Sequence, residues 1–457
     1  MQQDQLPAAF QNQMNALLGD SASSFFSALT VPTPVSIRLN PRKGGTFPFP
    51  QIQGEKIPWS DQGWYLTERP SFTLDPLFHA GAYYVQEASS MLIEAALRQL
   101  VPLDRPYTVL DLCAAPGGKT TGLASVLRDD CFLVANEVIK SRVGPLKENL
   151  TKWGVTNVVV THHDPETMTE LEGFFDIVLV DAPCSGEGMF RKDAGAVAEW
   201  SEDHVQLCAA RQKRILKAAS FLVAPGGVLL YSTCTYNRQE NEENALWLTS
   251  TFEMEAQPLQ FPSEWGVEAC SIGYQCFPHR VKGEGFYLAA FKQRGTQENR
   301  QEIKVKLPKV RQRQLDSLTK WLRDPEYFQF FQKNEGTLVA LPKEDLPYYG
   351  KVFHGLQKHT SGFELGLFKG EDFVPSHALA LSFHVSDSIP RVDLSREQAL
   401  LYLKRESLDI QLPEPLKEFG GWFLATYQGR SLGWLKEVQG RVNNYLPKEW
   451  RIRMDLE

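Results

Sequence analysis

From Tyr107 onward, short apolar runs alternate with stretches of helical periodicity. Tyr107-Thr-Val-Leu-Asp-Leu112, Cys131-Phe-Leu-Val-Ala-Asn-Glu137, Asn157-Val-Val-Val-Thr161, Phe175-Asp-Ile-Val-Leu-Val180 and Gly227-Val-Leu-Leu-Tyr231 read as strands. Between them, Lys119 to Leu127, Ser141 to Trp153 and about Glu202 to Leu222 read as helices. Brief apolar runs bounded by turn residues suit strands buried on both faces, and strand–helix alternation predicts an α/β doubly wound parallel sheet. Gly285 to Phe291 is expected as a last strand. Asn237 and Glu240 have capping-box spacing, which predicts a helix from Asn237 to about Leu248 with its positive end near Cys234.

Outside this core the pattern is mixed. Residues 1–105 combine a helical opening (Phe10, Met14, Leu17, Leu18), a Pro- and Trp-rich middle from Val31 to Trp64, and a short strand at Ser36-Ile-Arg-Leu-Asn-Pro41. A helix through Leu92, Ala95, Ala96 and Leu100 follows Gln86 and Glu87, so a small α+β cap is expected. Beyond a linker at 293–301, Lys304, Lys306, Lys309, Arg311, Arg313, Lys320 and Arg323 stand against one acid, Asp316. Such a run is either a solvated helix face or a nucleic-acid clamp. Gly421 to Thr426 and Ser431 to Lys436, joined by a turn at Gly429-Arg430, predict a β-rich module with Arg441, Asn443, Asn444 and Arg451 free for polar contacts. The expected divisions are 1–105, a core at 106–293, a linker and basic intermediate domain at 294–374, and a last module at 375–457. Residues 335–370 carry no readable signal.

Composition changes this picture little. A chain of 457 residues, 42% hydrophobic and 23% charged, has room for about three ordinary soluble domains. A net charge of −7 argues against coating nucleic acid by bulk electrostatics but permits a local basic groove. The start of the chain lacks a secretory pattern and no apolar run suffices for a membrane span, so a cytoplasmic location is expected. Seven cysteines without a Cys-x-x-Cys pair signal neither a disulfide framework nor a metal site.

Chemistry gathers where strands end. Asp181-Ala-Pro-Cys-Ser-Gly-Glu-Gly188 follows one strand and Ser232-Thr-Cys-Thr-Tyr236 follows another, so Cys184 and Cys234 would share the carboxyl edge, where such sheets place ligands. Asp111-Leu-Cys-Ala-Ala-Pro-Gly-Gly-Lys-Thr120 joins the first strand to its helix. It is not a Walker A loop, because Cys113 stands where that motif requires Gly, and it lacks Gly-x-Gly-x-x-Gly. A Gly117-Gly118 turn, Glu137 placed for ribose hydroxyls and Asp164 placed for an adenine amine suit a nucleoside cofactor without a pyrophosphate, as S-adenosylmethionine is.

The blocks Cys113 to Lys119, Asp181 to Gly188 and Thr233-Cys-Thr-Tyr236 resemble the signature of the Nop/Sun family of RNA (cytosine-5) methyltransferases. Gly188-Met-Phe-Arg-Lys-Asp193, Tyr83 to Met91 and Gly433-Trp-Leu-Lys436 are similar to a bacterial branch of it, and the likeness covers nearly the whole chain. The resemblance implies a Rossmann-like class I S-adenosylmethionine-dependent methyltransferase sheet, an RNA-contacting N-terminal extension and a C-terminal PUA-like module. It implies 16S rRNA or the 30S subunit, near the decoding region, as substrate. It implies cofactor contacts from Cys113, Ala114, Ala115, Pro116, Gly117, Gly118, Lys119, Glu137, Arg142, Asp164 and Asp181.

Methylating carbon 5 of cytosine requires a thiolate to add at carbon 6 first. DNA enzymes attack with the Pro-Cys cysteine, which would be Cys184; the RNA family attacks with the Thr-Cys cysteine, Cys234. The other blocks are of the RNA kind, so Cys234 is expected as nucleophile and Cys184 as the group assisting adduct breakdown. Asp181 is expected on the cytosine amino group or ring nitrogen, and Lys119 either on Asp181 or on an RNA phosphate. Cys113, Cys131, Cys208, Cys270 and Cys276 read as packing residues, Cys113 from within the cofactor loop. A chain carrying its own RNA modules is expected to work as a monomer. A tRNA cytosine-5 methyltransferase and a non-catalytic RNA-binding assembly factor are the alternatives.

Overall fold

Five parallel strands set the position of everything else. The computed structural model describes residues 5–295, 307–333, 335–356, 362–414 and 416–455. The N-terminal extension carries β1 (Val35–Leu39), β2 (Gly54–Lys56), β3 (Gly63–Leu66) and β4 (Tyr83–Val85) in an antiparallel sheet ordered β2-β3-β1-β4. The core adds β5 (Thr108–Asp111), β6 (Phe132–Asn136), β7 (Val158–Thr161), β8 (Phe175–Asp181) and β9 (Val223–Thr233), then β10 (Met254–Ala256), β11 (Glu268–Ala269), β12 (Tyr274–Cys276) and β13 (Phe286–Gln293). The path runs β11-β12-β13-β9-β8-β5-β6-β7, parallel from β9 to β7, with β13 antiparallel to β9. The chain reverses direction across the sheet between β5 and β8, and loops leaving both strands open the crevice where α/β sheets bind ligands.

The N-terminal extension is built onto this core. Helices Ala8–Leu18 and Ala22–Thr30 bury Phe10, Met14, Phe25, Phe26 and Leu29 against Phe190, Trp200, Tyr236 and Phe277, directly behind the two cysteine loops. Arg38 of β1, 2% exposed, drives its guanidinium into helix Gly118–Val126. It donates to the carbonyls of Gly118 (3.0 Å) and Thr121 (3.3 Å), to Thr121 Oγ1 (2.6 Å) and Ser125 Oγ (3.0 Å), and through Nε to Gln86 (2.9 Å). With its plane over the Trp153 ring at 4.4 Å, this charge is desolvated but fully hydrogen-bonded.

The stretch unreadable in sequence forms a third sheet. β14 (Phe328–Gln332), β15 (Leu338–Pro342), β16 (Phe363–Lys369) and β17 (Asp372–Pro375) pair antiparallel in that order. Phe331, Val339, Leu341, Tyr349, Val352 and Leu356 share one apolar cluster with Phe132, Val134 and Phe174, so this sheet buttresses the core. Of the basic run, Lys304 and Lys306 lie outside the described residues. The helix there is only Gln312–Leu318, and three of its neighbours are engaged within the chain: Arg313 with Glu371, Arg323 with Asp387, and Lys320 with the Glu418 carbonyl. No long basic helix face exists among the described residues.

At the C-terminal end β18 (Arg391–Asp393), β19 (Trp422–Tyr427), β20 (Arg430–Val438) and β21 (Arg441–Asn444) form the last sheet. The tight turn falls one residue earlier than expected, on Gln428 and Gly429, whose φ values of +50° and +72° make the left-handed pair favoured in two-residue hairpins. Leu74 and Ala80 of the N-terminal extension enter this sheet's core with Leu394, Leu400 and Phe423. Among the described residues no helix is long and apolar enough to cross a membrane.

Candidate active site

β5 ends at Asp111, and the chain turns back into helix Gly118–Val126 through Gly117, whose φ of +109° only glycine adopts without strain. A Cβ there would also press on Leu146 at 3.2 Å. Arg142 donates to the Ala115 carbonyl at 2.7 Å and Asn149 to the Pro116 carbonyl at 2.8 Å, which fixes the loop from the neighbouring helix. Ala114 and Ala115 are buried, and the Cys113 thiol is pushed well above its ordinary range by burial and by Asp111, Asp181 and Glu137. Glu137 lies just past β6, 2% exposed, accepting from Ile139 N at 2.8 Å and facing Arg142 at 3.5 Å. These residues, a backbone bare of side chains beside a buried carboxylate, fit an adenosyl cofactor. Asp164 caps the short turn Pro165–Thr167, accepting from Glu166 N at 3.1 Å, and its other oxygen faces Arg214 at 3.4 Å.

Asp181 closes β8 in register with Ser232 of β9. Both its oxygens are oriented: Lys119 Nζ donates to Oδ2 and Ser232 Oγ to Oδ1, each at 2.8 Å. Burial would lower the Lys119 pKa, but Asp181 outweighs it and the ammonium titrates above its usual range. The next turns of the two loops bring Cys184 Sγ to 3.1 Å from Cys234 Sγ, with the Cys234 amide 3.4 Å from Cys184 Sγ. Either sulfur can donate in this contact. The Cys184 pKa is raised well above its ordinary value by its hydrogen bond with Cys234, by burial and by the neighbouring charge. The Cys234 pKa is lowered by the same hydrogen bond, against burial and Asp181, with Lys119 and Lys192 adding to the effect.

The expected helix N-terminus is not what favours this thiolate. The helix begins at Glu242, not Asn237, because the Asn237 amide and side chain are drawn into a buried carboxylate network. Asn237 does accept from Glu240 N at 2.9 Å, half of a capping box, but its own N–H donates to Glu187 at 3.0 Å.

Two residues absent from the sequence-based site hold the loops together. Glu187, 0% exposed, accepts from Gln13, Trp200 Nε1, the amides of Tyr236 and Asn237, and Asn237 Nδ2, at 2.9–3.2 Å. It sits on the Cys184 loop and binds the Cys234 loop. Glu240 does the reverse, accepting from Ser185 N at 3.0 Å, Gln212 at 2.7 Å and Asn237 Nδ2 at 2.7 Å. Gly188 N donates to the Cys234 carbonyl at 2.9 Å, and a Cβ at Gly188 would stand 2.8 Å from that oxygen. The glycines flanking Glu187 were the sequence signal. Nearby, Arg191 and Glu284, each 5% exposed, pair and also fasten the Ala28 carbonyl.

Known structures share this fold. A methyltransferase homolog from Pyrococcus horikoshii aligns with TM-score 0.55 and 29% identity, over 64% of this chain and all of its own. NSun6 from the same organism, solved with SFG, has the same TM-score over 64% of this chain and 99% of its own; at 21% identity it bears on the fold alone. Strand order, switch-point loop and paired cysteines define a Rossmann-like methyltransferase. Family models for 16S rRNA methyltransferase RsmB/F, the RsmF N-terminal domain and the RsmF PUA domain match residues 99–292, 6–88 and 389–452. Ribosomal RNA small subunit methyltransferase F of Pectobacterium atrosepticum is 31% identical over 97% of this chain and 95% of its own length, and that of Aliivibrio fischeri MJ11 32% identical over 97% of each. The chain belongs to the RsmF family of small-subunit ribosomal RNA methyltransferases.

Proposed function

We propose that this chain methylates carbon 5 of a cytosine in 16S rRNA, as a monomer in the cytoplasm, using S-adenosylmethionine. The observation that carries the reading is the close pair Cys184–Cys234, sulfurs 3.1 Å apart, beside the oriented carboxylate of Asp181. S-adenosylmethionine, held by the loop from Cys113 to Lys119, Glu137 and Arg142, would supply an electrophilic methyl group; the Gly117 turn beside the buried Glu137 carboxylate and membership of a methyltransferase family support that choice.

The Cys234 thiolate adds to carbon 6, forming a C–S bond and pushing electrons onto carbon 5, which becomes enamine-like. Asp181, its angle fixed by Lys119 and Ser232, accepts from the cytosine amino group or passes a proton to the ring nitrogen, and that proton offsets the charge arriving there. Once Cys234 is bonded to carbon 6, its negative charge no longer holds the proton on Cys184. Cys184 then loses its proton to solvent, the one proton the methylation releases overall, and as thiolate takes the proton from the methylated carbon 5; the electrons of that C–H bond re-form the 5,6 double bond, the C–S bond breaks and Cys234 leaves as thiolate. A stacked base cannot reach sulfurs at the sheet edge, so the cytosine enters single-stranded or flipped out.

The test is methyl transfer from labelled S-adenosylmethionine to total RNA from a strain lacking the gene, with 5-methylcytosine mapped by sequencing. Label at a cytosine of 16S rRNA is expected. Label confined to tRNA keeps the reaction and overturns the substrate; no label on rRNA, tRNA or 30S subunits leaves an assembly factor.

A further inference from the structure

On the edge of the core sheet opposite the cysteines, four parts of the chain converge on a cleft of about 640 Å³: the loop around Arg42, the turn holding Asp129 ahead of β6, the segment 380–385 and the β19–β20 hairpin. Arg42, Lys43, Arg323, Arg391 and Arg430 line it with one acid, Asp129. Facing these cations, Asp129 pairs with Arg42, while Asp387 pairs with both Arg323 (2.9 Å) and Arg391 (3.1 Å). Burial lowers the Lys43 pKa to about 7, so the lasting excess is carried by the guanidiniums of Arg42, Arg323, Arg391 and Arg430 against Asp129 and Asp387, in a chain whose net charge is −7.

Part of this set ties domains together through backbone oxygens. Lys43 Nζ donates to the carbonyls of Ala80 and Lys152 at 2.7 Å each, and Arg430 Nε to the carbonyl of Lys43 at 2.6 Å. Arg323 reaches across to Asp387 of the last module and Arg391 pairs with the same carboxylate locally, yet the two arginines stay 50% and 36% exposed. Ser431 lines the same cleft with a hydroxyl that has no hydrogen-bond partner among the described residues.

We infer that this cleft binds a phosphodiester group of the RNA substrate, away from the target base. The inference rests on the RNA-methyltransferase reading. Guanidinium forks match phosphate oxygens two at a time, and a concave site with an excess of cations concentrates a polyanion. Asp129 precedes β6 and the cysteines follow the far ends of β8 and β9, so a strand length of roughly 15 Å separates the two sites. The RNA therefore contacts both edges of the sheet, and the chain selects a substrate with backbone positioned on each.

The experiment measures binding of the full chain to fluorescein-labelled 16S rRNA, without S-adenosylmethionine, across a salt series. Arg323→Ala/Arg391→Ala is expected to weaken binding and flatten the slope of log affinity against log salt by about 0.7–0.9 per lost phosphate contact. Methyl transfer at saturating RNA stays at the wild-type rate while KM for RNA rises. Lys292→Ala, which removes an exposed lysine of β13 that does not line the cleft, keeps the wild-type slope. If the double variant fails to fold, Arg391→Gln is read for the same loss of slope. A wild-type slope in a folded variant overturns the inference. Failure of the wild-type chain to methylate would overturn the proposed reaction instead, and the slope would still be measurable.

Discussion

Cys184 and Cys234, 50 positions apart in sequence, meet with their sulfurs 3.1 Å apart, and the contact moves their pKa values in opposite directions, Cys184 up and Cys234 down. The residue that keeps the proton is suited to finishing the reaction, and the one that gives it up to starting it.

Cys184→Ala should therefore accumulate protein covalently joined to RNA, seen as a band of reduced mobility on a denaturing gel, because the adduct forms but is not resolved. Cys234→Ala should form no adduct and lose methyl transfer by on the order of 10³-fold or more. The reverse pattern would show the two roles exchanged.

Alkylation reports the same asymmetry without RNA. Only the thiolate reacts, so Cys234, with its pKa lowered by the Cys184 hydrogen bond and by Lys119 and Lys192, should be carboxamidomethylated by iodoacetamide at lower pH than a free thiol of pKa about 8.5. Removing the donor in Cys184→Ala raises the Cys234 pKa, so the rate profile mapped by mass spectrometry moves to higher pH. An unmoved profile would contradict that hydrogen bond.

Glu187 joins both cysteine loops to the helix carrying Gln13. Glu187→Ala strands several buried donors at about 1–3 kcal/mol each, so urea unfolding should show a loss of at least about 3 kcal/mol. Glu187→Gln replaces one accepting oxygen with a donor and should fall between the two.

Arg38→Lys keeps the charge but not the fork. With three donors in place of a planar guanidinium, it should cost about 2–4 kcal/mol in stability. Because the helix it grips begins with Gly118 and Lys119, S-adenosylmethionine affinity by calorimetry should weaken as well.

The parallel strands and both cysteine loops were legible because each is a local apolar run ending in unusual residues; β8 and β9 fall where periodicity put them, β9 extending to both sides. What sequence could not show depends on partners far away. Asn237 and Glu240 carry the spacing of a helix start, yet Glu187, 50 residues upstream, takes the Asn237 amide and delays the helix to Glu242. Arg38 read as one residue of a short strand, since nothing nearby announces that its acceptors are at Gly118, Thr121 and Ser125. The sheet β14–β17 was invisible because its strands are short and become stable against Phe132 and Phe174, not by their own pattern.

The reach of Arg38 across 80 residues to Gly118 also orders the birth of the molecule. As the chain leaves the ribosome, β1 emerges with a cation it cannot bury, and it must wait for Ser125 before the last of its acceptors in that helix exists. The first sheet and the cofactor helix thus reach their final form in one event.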